Sequence, residues 1–141
     1  MERLTEIIAA HRGREGPLLP ILHDVQRAFG HVSEEAIRII AEVLNLTRAE
    51  VHGVVSFYHD FKEKPDPRPV IKLCRAEACQ ARGVEALVAA MPAQAKDGGR
   101  VRIETVYCLG LCSVGPNAMV GHEVHARLDA ARLAALVEAA R

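Results

Sequence analysis

The sequence predicts an α+β protein, in which a helical N-terminal half is followed by a half that mixes strands and helices. Up to residue 58, apolar residues recur at the i, i+3, i+4 spacing that is typical of amphipathic helices. From residue 70 onward, short runs typical of strands appear between helical segments. Residues 62–69 (KEKPDPRP), which hold three prolines and five charges, separate the two halves. We therefore predict two domains, residues 1–64 and residues 69–141.

Four helices are expected in the N-terminal half, and each has its own start or stop signal. Gly13 is expected to end the first helix and Gly30 the second, because glycine readily adopts the left-handed backbone conformation found at helix ends. Ser33 is expected to cap the third helix, and residues 47–50 (TRAE) match a capping box for the fourth. The residues expected on the apolar faces are Leu4, Ile7, Ile8, His11, Leu18, Leu19, Leu22, Val25, Phe29, Ile37, Ile40, Val43, Leu44, Val51, Val54, Val55 and Tyr58.

The C-terminal half is expected to have the order β-α-β-β-α. The elements are a strand over residues 70–73, a helix over 79–91, a strand over 101–106, a hairpin of residues 117–120 and 123–126, and a final helix capped by Asp129. The first two strands are joined by a helical crossover, so we expect them to be parallel neighbours. The residues that follow these two strands should then lie at the same edge of the sheet.

The composition excludes several kinds of partner. Lys and Arg together number 18, as do Asp and Glu, so the net charge is zero and no basic field attracts nucleic acid or an anionic membrane. The sequence has no Trp and only 4% aromatic residues, which argues against a platform for stacking bases. No apolar run approaches the roughly 20 residues that span a bilayer, and residues 1–16 resemble neither a secretory nor a transit peptide. We expect a cytoplasmic protein that binds no nucleic acid and does not insert into a membrane.

The four cysteines are the most informative feature of the sequence. Four residues separate Cys74 from Cys79, and three separate Cys108 from Cys112. Each pair begins where a predicted strand ends, so parallel neighbouring strands would bring all four sulfurs into one small volume. Four thiolates suit either tetrahedral zinc or an iron–sulfur cluster. The wide loops favour a 2Fe–2S cluster, because each pair must reach around one of two irons. Zinc and metal-free buried thiols stay open as alternatives, whereas a thioredoxin-type dithiol lacks its Cys-x-x-Cys motif.

Two stretches of the sequence resemble the thioredoxin-like 2Fe–2S ferredoxin family, the small cluster-carrying subunits of NAD-linked enzymes. They are residues 73–83 (LCRAEACQARG) and residues 107–120 (YCLGLCSVGPNAMV), and the helical half with its Phe57-Tyr58 is also similar to the family. The resemblance implies an N-terminal helical bundle lobe followed by a thioredoxin-like α/β domain. It also implies that one 2Fe–2S cluster is bound by Cys74, Cys79, Cys108 and Cys112.

The resemblance further implies an electron-transfer subunit that has no catalytic residue of its own. The stretches 70–75 and 108–112 are most similar to the gamma subunit of NAD-dependent formate dehydrogenase. The alternative is the equivalent subunit of NADH:quinone oxidoreductase (complex I) or of a bidirectional NAD-linked hydrogenase. The implied partners are a flavoprotein subunit, which carries FMN and NAD, and a larger iron–sulfur/molybdenum catalytic subunit. This chain itself has no Gly-x-Gly-x-x-Gly fingerprint for a dinucleotide.

Other classes of function remain open from the sequence. A zinc-stabilised interaction module and a thiol-based redox enzyme would both use the same four cysteines. Whether the isolated chain forms a homodimer is also left open.

Overall fold

A computed structural model describes residues 2–141, and the chain divides into two compact units between Pro67 and Arg68. The predicted domain boundaries, residues 64 and 69, lie on either side of this division. Within the described residues, the first unit is made of four helices, and the second combines a four-stranded sheet with three helices. The predicted α+β class is therefore confirmed. None of the helices in residues 2–141 combines the length and the apolar character that a membrane span requires.

The helices of the first unit end where their capping residues predict. They are α1 (Glu2–His11), α2 (Leu18–Phe29), α3 (Glu34–Leu44) and α4 (Arg48–Phe57). Gly30 ends α2 with a left-handed backbone, φ 75°. The Ser33 hydroxyl accepts the N–H of Ala36 at 3.1 Å, and Thr47 and Glu50 form the predicted capping box. These contacts satisfy N–H groups that have no partner inside the helix.

The core of the first unit is aliphatic and draws on all four helices. Its buried residues include Leu4, Ile8, Ile21, Leu22, Val25, Val32, Ile37, Ile40, Val51 and Val55. Two residues that were predicted to lie on the apolar faces are not buried: Phe29 is 41% exposed and Tyr58 is 42% exposed. Phe29 is the last residue of α2 and Tyr58 lies just beyond α4, so neither faces the packed interior. Phe61 is buried instead, with its ring edge against His23 at a centroid distance of 5.0 Å.

The second unit is built on a mixed sheet. Its elements are β1 (Val70–Cys74), α5 (Glu77–Ala81), α6 (Val84–Ala89), β2 (Arg102–Val106), β3 (Ala118–Val120), β4 (Glu123–His125) and α7 (Ala130–Ala139). The strand order is β2-β1-β3-β4, with β1 parallel to β2 and the other neighbours antiparallel. Cys74, the last residue of β1, lies opposite Val106, the last residue of β2. The predicted parallel pair and hairpin are confirmed, as is the Asp129 cap, which accepts the N–H of Arg132 at 2.8 Å.

One helix prediction in this unit is wrong. The expected helix over residues 79–91 is two short helices, α5 and α6, which are separated at Gly83. Gly83 has a left-handed backbone, φ 91°, and its N–H bonds the carbonyl of Gln80 at 3.0 Å. Because α5 begins at Glu77, Cys79 lies inside a helix and not at its start. The break at Gly83 therefore confines Cys79 to a single short turn beside the end of β1.

Candidate functional site

The sheet topology brings the two cysteine pairs to the same edge. Cys74 ends β1, and Cys108 follows the end of β2 by two residues. Since β1 and β2 are parallel and in register, both loops leave the sheet on the same side. Cys79 returns on α5, and Cys112 begins a 3-10 turn, Cys112–Val114. The meeting of the four predicted residues at one sheet edge is thus a direct consequence of strand order.

The sulfurs lie as two pairs. The thiols of Cys74 and Cys79 are hydrogen-bonded to each other, and the Sγ atoms of Cys108 and Cys112 are 3.5 Å apart. The pairs are adjacent, because the N–H of Cys108 donates to Cys74 Sγ at 3.3 Å. None of the four forms a disulfide. In residues 2–141, no three or more Cys, His, Asp or Glu side chains are grouped as for binding a metal ion. Two separate pairs fit the two irons of a 2Fe–2S cluster better than one tetrahedral zinc.

The two pairs differ in exposure. Cys74 and Cys79 are 2% and 1% exposed and belong to the hydrophobic core of the second unit, whereas Cys108 and Cys112 face solvent. We call the first two the inner pair and the last two the outer pair. The inner pair is held by the packing of the core. The outer pair depends on the conformation of its own loop.

Backbone N–H groups surround the sulfur of Cys74. Burial acts to raise the pKa of this thiol, but the N–H groups of Ala76, Cys108 and Leu109 and the Cys79 thiol outweigh it, so the pKa lies below its ordinary value. The reverse holds for Cys79, where burial and then the hydrogen bond with Cys74 raise the pKa. Cys74 is therefore the inner sulfur that is better stabilised as a thiolate, which is the form that binds metal.

The outer pair is shaped by two residues with a left-handed backbone. Cys108 has φ 86°, which is uncommon for a residue other than glycine, and Gly110 has φ 78°. In this conformation the N–H of Gly110 donates to Cys108 Sγ at 3.3 Å. The hydrogen bond with Cys108, and then its charge, raise the pKa of Cys112. The loop thus directs a backbone dipole at sulfur, as is expected around an iron–sulfur ligand.

Gly115 leaves room beside an inner sulfur. A Cβ atom at this position would lie 3.1 Å from Cys79 Sγ and 3.3 Å from Cδ of Arg82. The backbone of Gly115, φ −69° and ψ 168°, suits any residue, so the close approach to sulfur is what requires glycine here. The residues present therefore fit a sulfur-ligated cluster: four thiols in two pairs, N–H donors aimed at them, and a backbone cradle that a side chain would fill.

The arginine next to Cys74 is paired with a carboxylate and not with sulfur. Arg75, which directly follows Cys74, forms a bidentate ion pair with Glu85, with Nε–Oε1 2.9 Å and Nη2–Oε2 2.6 Å. In the same unit, His125 lies 4.0 Å from the carboxylate of Glu123.

The sequence did not predict that Asn117 belongs to the site; it predicted only that Asn117 begins a hairpin strand. Asn117 is 1% exposed, the only buried polar side chain in residues 2–141. Its carbonyl accepts the N–H of Cys74 at 3.0 Å, and its Nδ2 donates to the carbonyl of Leu111 at 3.0 Å. The one signal available in the sequence was its position directly after Gly115-Pro116, in the segment that follows the second cysteine pair.

A sheet edge that carries two cysteine pairs, in a chain with a separate helical unit, defines a cysteine-ligated metal or redox protein of the α+β class. The family is shown by comparison with known proteins: the profile described as "Thioredoxin-like [2Fe-2S] ferredoxin" matches residues 4–141. The chain belongs to this family, and the resemblance found in the sequence is confirmed. The predicted cofactor, a 2Fe–2S cluster, is the cofactor of the family.

The similar proteins belong to two kinds of redox complex. The NADP-reducing hydrogenase subunit HndA of Solidesulfovibrio fructosivorans is 34% identical over 79% of this chain and 70% of its own length. A subunit of the NADH-quinone oxidoreductase of Rhizobium meliloti is 31% identical over 99% of this chain and 88% of its own length. A crystal structure of an NAD+-reducing [NiFe]-hydrogenase in the H2-reduced state matches 83% of this chain, with a TM-score of 0.63 and 29% identity. This chain spans only 21% of that hydrogenase chain.

Proposed function

We propose that this chain is an electron-transfer subunit of an NAD-linked oxidoreductase complex. In this proposal its ligands for one 2Fe–2S cluster are Cys74, Cys79, Cys108 and Cys112. The observation that carries the proposal is the meeting of the inner and outer pairs at the edge shared by β1 and β2. When bound, a 2Fe–2S cluster supplies a centre that holds one electron at a time. The chain's own contribution is to hold the four sulfurs, to aim backbone N–H groups at them and to bury one side of the site.

The relatives favour two kinds of complex. HndA and the similar NADH-quinone oxidoreductase subunits support a hydrogenase or an NADH:quinone oxidoreductase, the alternative reached from the sequence. Formate dehydrogenase, the first choice from the sequence, remains a second candidate. It rests only on the sequence similarity of residues 70–75 and 108–112. The three candidates share the same site and differ in the subunits that surround it.

The partner in this proposal is a flavoprotein subunit that carries FMN and NAD, in a cytoplasmic complex with a larger iron–sulfur or molybdenum subunit. A partner can approach the cluster from the outer pair, because Cys108 and Cys112 face solvent while the inner pair is in the core. Tyr107, beside Cys108, is 76% exposed. In the first unit, Phe57 is 75% exposed and contacts Tyr58 edge to face at 5.1 Å. Exposed aromatic side chains of this kind are enriched where proteins dock.

Anaerobic purification of the full chain tests the cofactor. We expect a red-brown protein with two irons and two acid-labile sulfides per chain, and an electron paramagnetic resonance (EPR) signal after reduction. A colourless protein that holds zinc and no sulfide would instead support a zinc-stabilised module. A thiol-dependent turnover that survives removal of iron would support a redox enzyme.

Affinity purification from the native host tests the complex. A flavoprotein in the eluate is expected in every case. A co-purified nickel–iron subunit identifies a hydrogenase, a quinone-reducing membrane arm identifies NADH:quinone oxidoreductase, and a molybdenum subunit identifies formate dehydrogenase. Recovery of the cluster-loaded chain without any flavoprotein, under conditions that preserve native complexes, would contradict the proposed partner.

A further inference from the structure

Asn117 lies where both ligand loops can be reached from one residue. Its backbone carbonyl accepts the N–H of Cys74 at 3.0 Å, and its backbone N–H donates to the sulfur of Cys79. Its side-chain Nδ2 donates to the carbonyl of Leu111 at 3.0 Å, in the loop between the two outer ligands. A single buried residue thus contacts both residues of the inner pair and the loop of the outer pair.

The Leu111 carbonyl accepts two hydrogen bonds, one from Asn117 Nδ2 at 3.0 Å and one from the N–H of Val114 at 3.1 Å. In a trans peptide the carbonyl and the following N–H point in opposite directions, so fixing the Leu111 carbonyl also fixes the N–H of Cys112. Gly110, the residue before Leu111, donates its N–H to Cys108 Sγ at 3.3 Å. The Asn117 amide therefore anchors the outer ligand loop beside a backbone dipole that is directed at an outer sulfur. Hydrogen bonds to ligand sulfurs are one of the factors that set cluster potentials.

The other polar atom of the Asn117 side chain contributes no hydrogen bond to the fold. Its Oδ1 is buried and has no hydrogen-bond partner in the structure. An unpaired buried oxygen costs folding free energy, which offsets what the Nδ2 hydrogen bond contributes to stability. The amide has one clear task in this core, which is its donation to Leu111.

We propose that Asn117 is a positioning residue for the cluster, whose side-chain amide sets the reduction potential by holding the Leu111–Cys112 peptide. The inference rests on the proposed function, since it assumes that the four cysteines hold a 2Fe–2S cluster. It concerns a residue that is not itself a ligand.

The test compares two variants of the full chain with the unaltered protein. Asn117→Leu keeps the approximate shape and removes the amide, and Asn117→Asp keeps the shape and replaces the donor by an oxygen. Ser113→Ala is the matched control, because Ser113 is exposed in the same loop next to Cys112. Each protein is purified anaerobically, and its iron and sulfide content, EPR spectrum and potentiometric midpoint are measured.

We expect the midpoint potential to become more negative in both Asn117 variants, with altered g values, and to remain unchanged in Ser113→Ala. A purely structural role would lower the cluster content and leave the potential and g values of the remaining clusters unchanged; that result would overturn the proposal. Loss of the cluster from both variants, with circular dichroism and melting temperature unchanged, would also overturn it, because the amide would then be needed to retain the cluster and not to set its potential. Loss of the fold in both variants would overturn it. Absence of a cluster from the unaltered protein contradicts the proposed function itself and is thereby distinguished from failure at Asn117.

Discussion

The substitution Gly115→Ala tests the sulfur cradle with a single added carbon. The new Cβ would lie 3.1 Å from Cys79 Sγ, a few tenths of an ångström short of ordinary contact. Arg82, at 3.3 Å, can move its flexible side chain away. Cys79 cannot move as easily, because it is 1% exposed within the core and, in our proposal, bonded to iron. The strain therefore falls on the sulfur.

The expected cost follows from overpacking in a closely packed interior. Forcing one extra carbon into such a site destabilises a protein by about 1–3 kcal/mol. In a domain of this size each kcal/mol lowers the melting temperature by roughly 4–8 °C. The backbone of Gly115 adds no penalty, since its φ of −69° suits alanine. We expect Gly115→Ala to lower the melting temperature of the cluster-loaded protein by at least about 4 °C.

The assay follows circular dichroism and visible absorbance together during heating of the anaerobic protein. Gly53→Ala is the control, because Gly53 lies inside α4 and a Cβ there would meet no heavy atom within 4 Å. That change should be neutral or stabilising by about 0.5–1 kcal/mol. If Gly115→Ala has the same melting temperature as the unaltered protein and keeps its full iron content, the contact between Gly115 and Cys79 Sγ does not require glycine.

Four further outcomes are expected. Cys79→Ser should lose most of its iron and sulfide, and an unchanged EPR signal would count against its assignment as a ligand. The hydrogen bond from His11, at 2.6 Å, is the main cause of the lowered pKa of Asp24. The Asp24 carboxylate therefore stabilises the fold at pH values above its unfolded pKa of about 3.9. This stabilisation is lost as the pH falls through the folded pKa. Asp24→Asn should therefore lower the melting temperature near pH 7 and flatten its decline in acid, and a full acid-dependent decline in the variant would contradict this. Thr47→Ala removes half of a capping box and should lower the free energy of unfolding, measured with urea, by about 1 kcal/mol. An unchanged urea midpoint would show that the cap does not stabilise the protein. Residues 69–141 expressed alone should take up a cluster if they form a domain, and an unfolded fragment would contradict the predicted boundary.

The helix ends of the first unit were predictable because their chemistry is local. Ser33 and Thr47 cap N–H groups three residues away, and Gly30 supplies a left-handed residue at a helix end. The convergence of the cysteines was also predictable, although the pairs lie far apart in sequence. It follows from one rule, that strands joined by a helical crossover are parallel and end at the same edge.

Exact helix limits and contacts between distant residues were not predictable. The apolar pattern of residues 79–91 is continuous, and only the left-handed backbone at Gly83 shows that the helix breaks. Phe29 fits the apolar face of α2, yet its place at the end of the helix leaves it 41% exposed. Asn117 gives no local signal beyond its position after Gly115-Pro116, because its partners are set by the packing of the loops around the sheet edge.

The difference between the inner and outer pairs explains why one residue can matter to both. The inner pair is part of a hydrophobic core, so its sulfurs are placed by the same packing that folds the second unit. The outer pair has no such support and is placed by a loop with left-handed residues, where small changes of backbone angle move sulfur and N–H together. A bound cluster joins the two halves, and its properties must depend on how accurately the loop is aligned with the core. Asn117 is buried with the inner pair and hydrogen-bonded to the outer loop, so it transmits the rigidity of the core to the part of the site that lacks it.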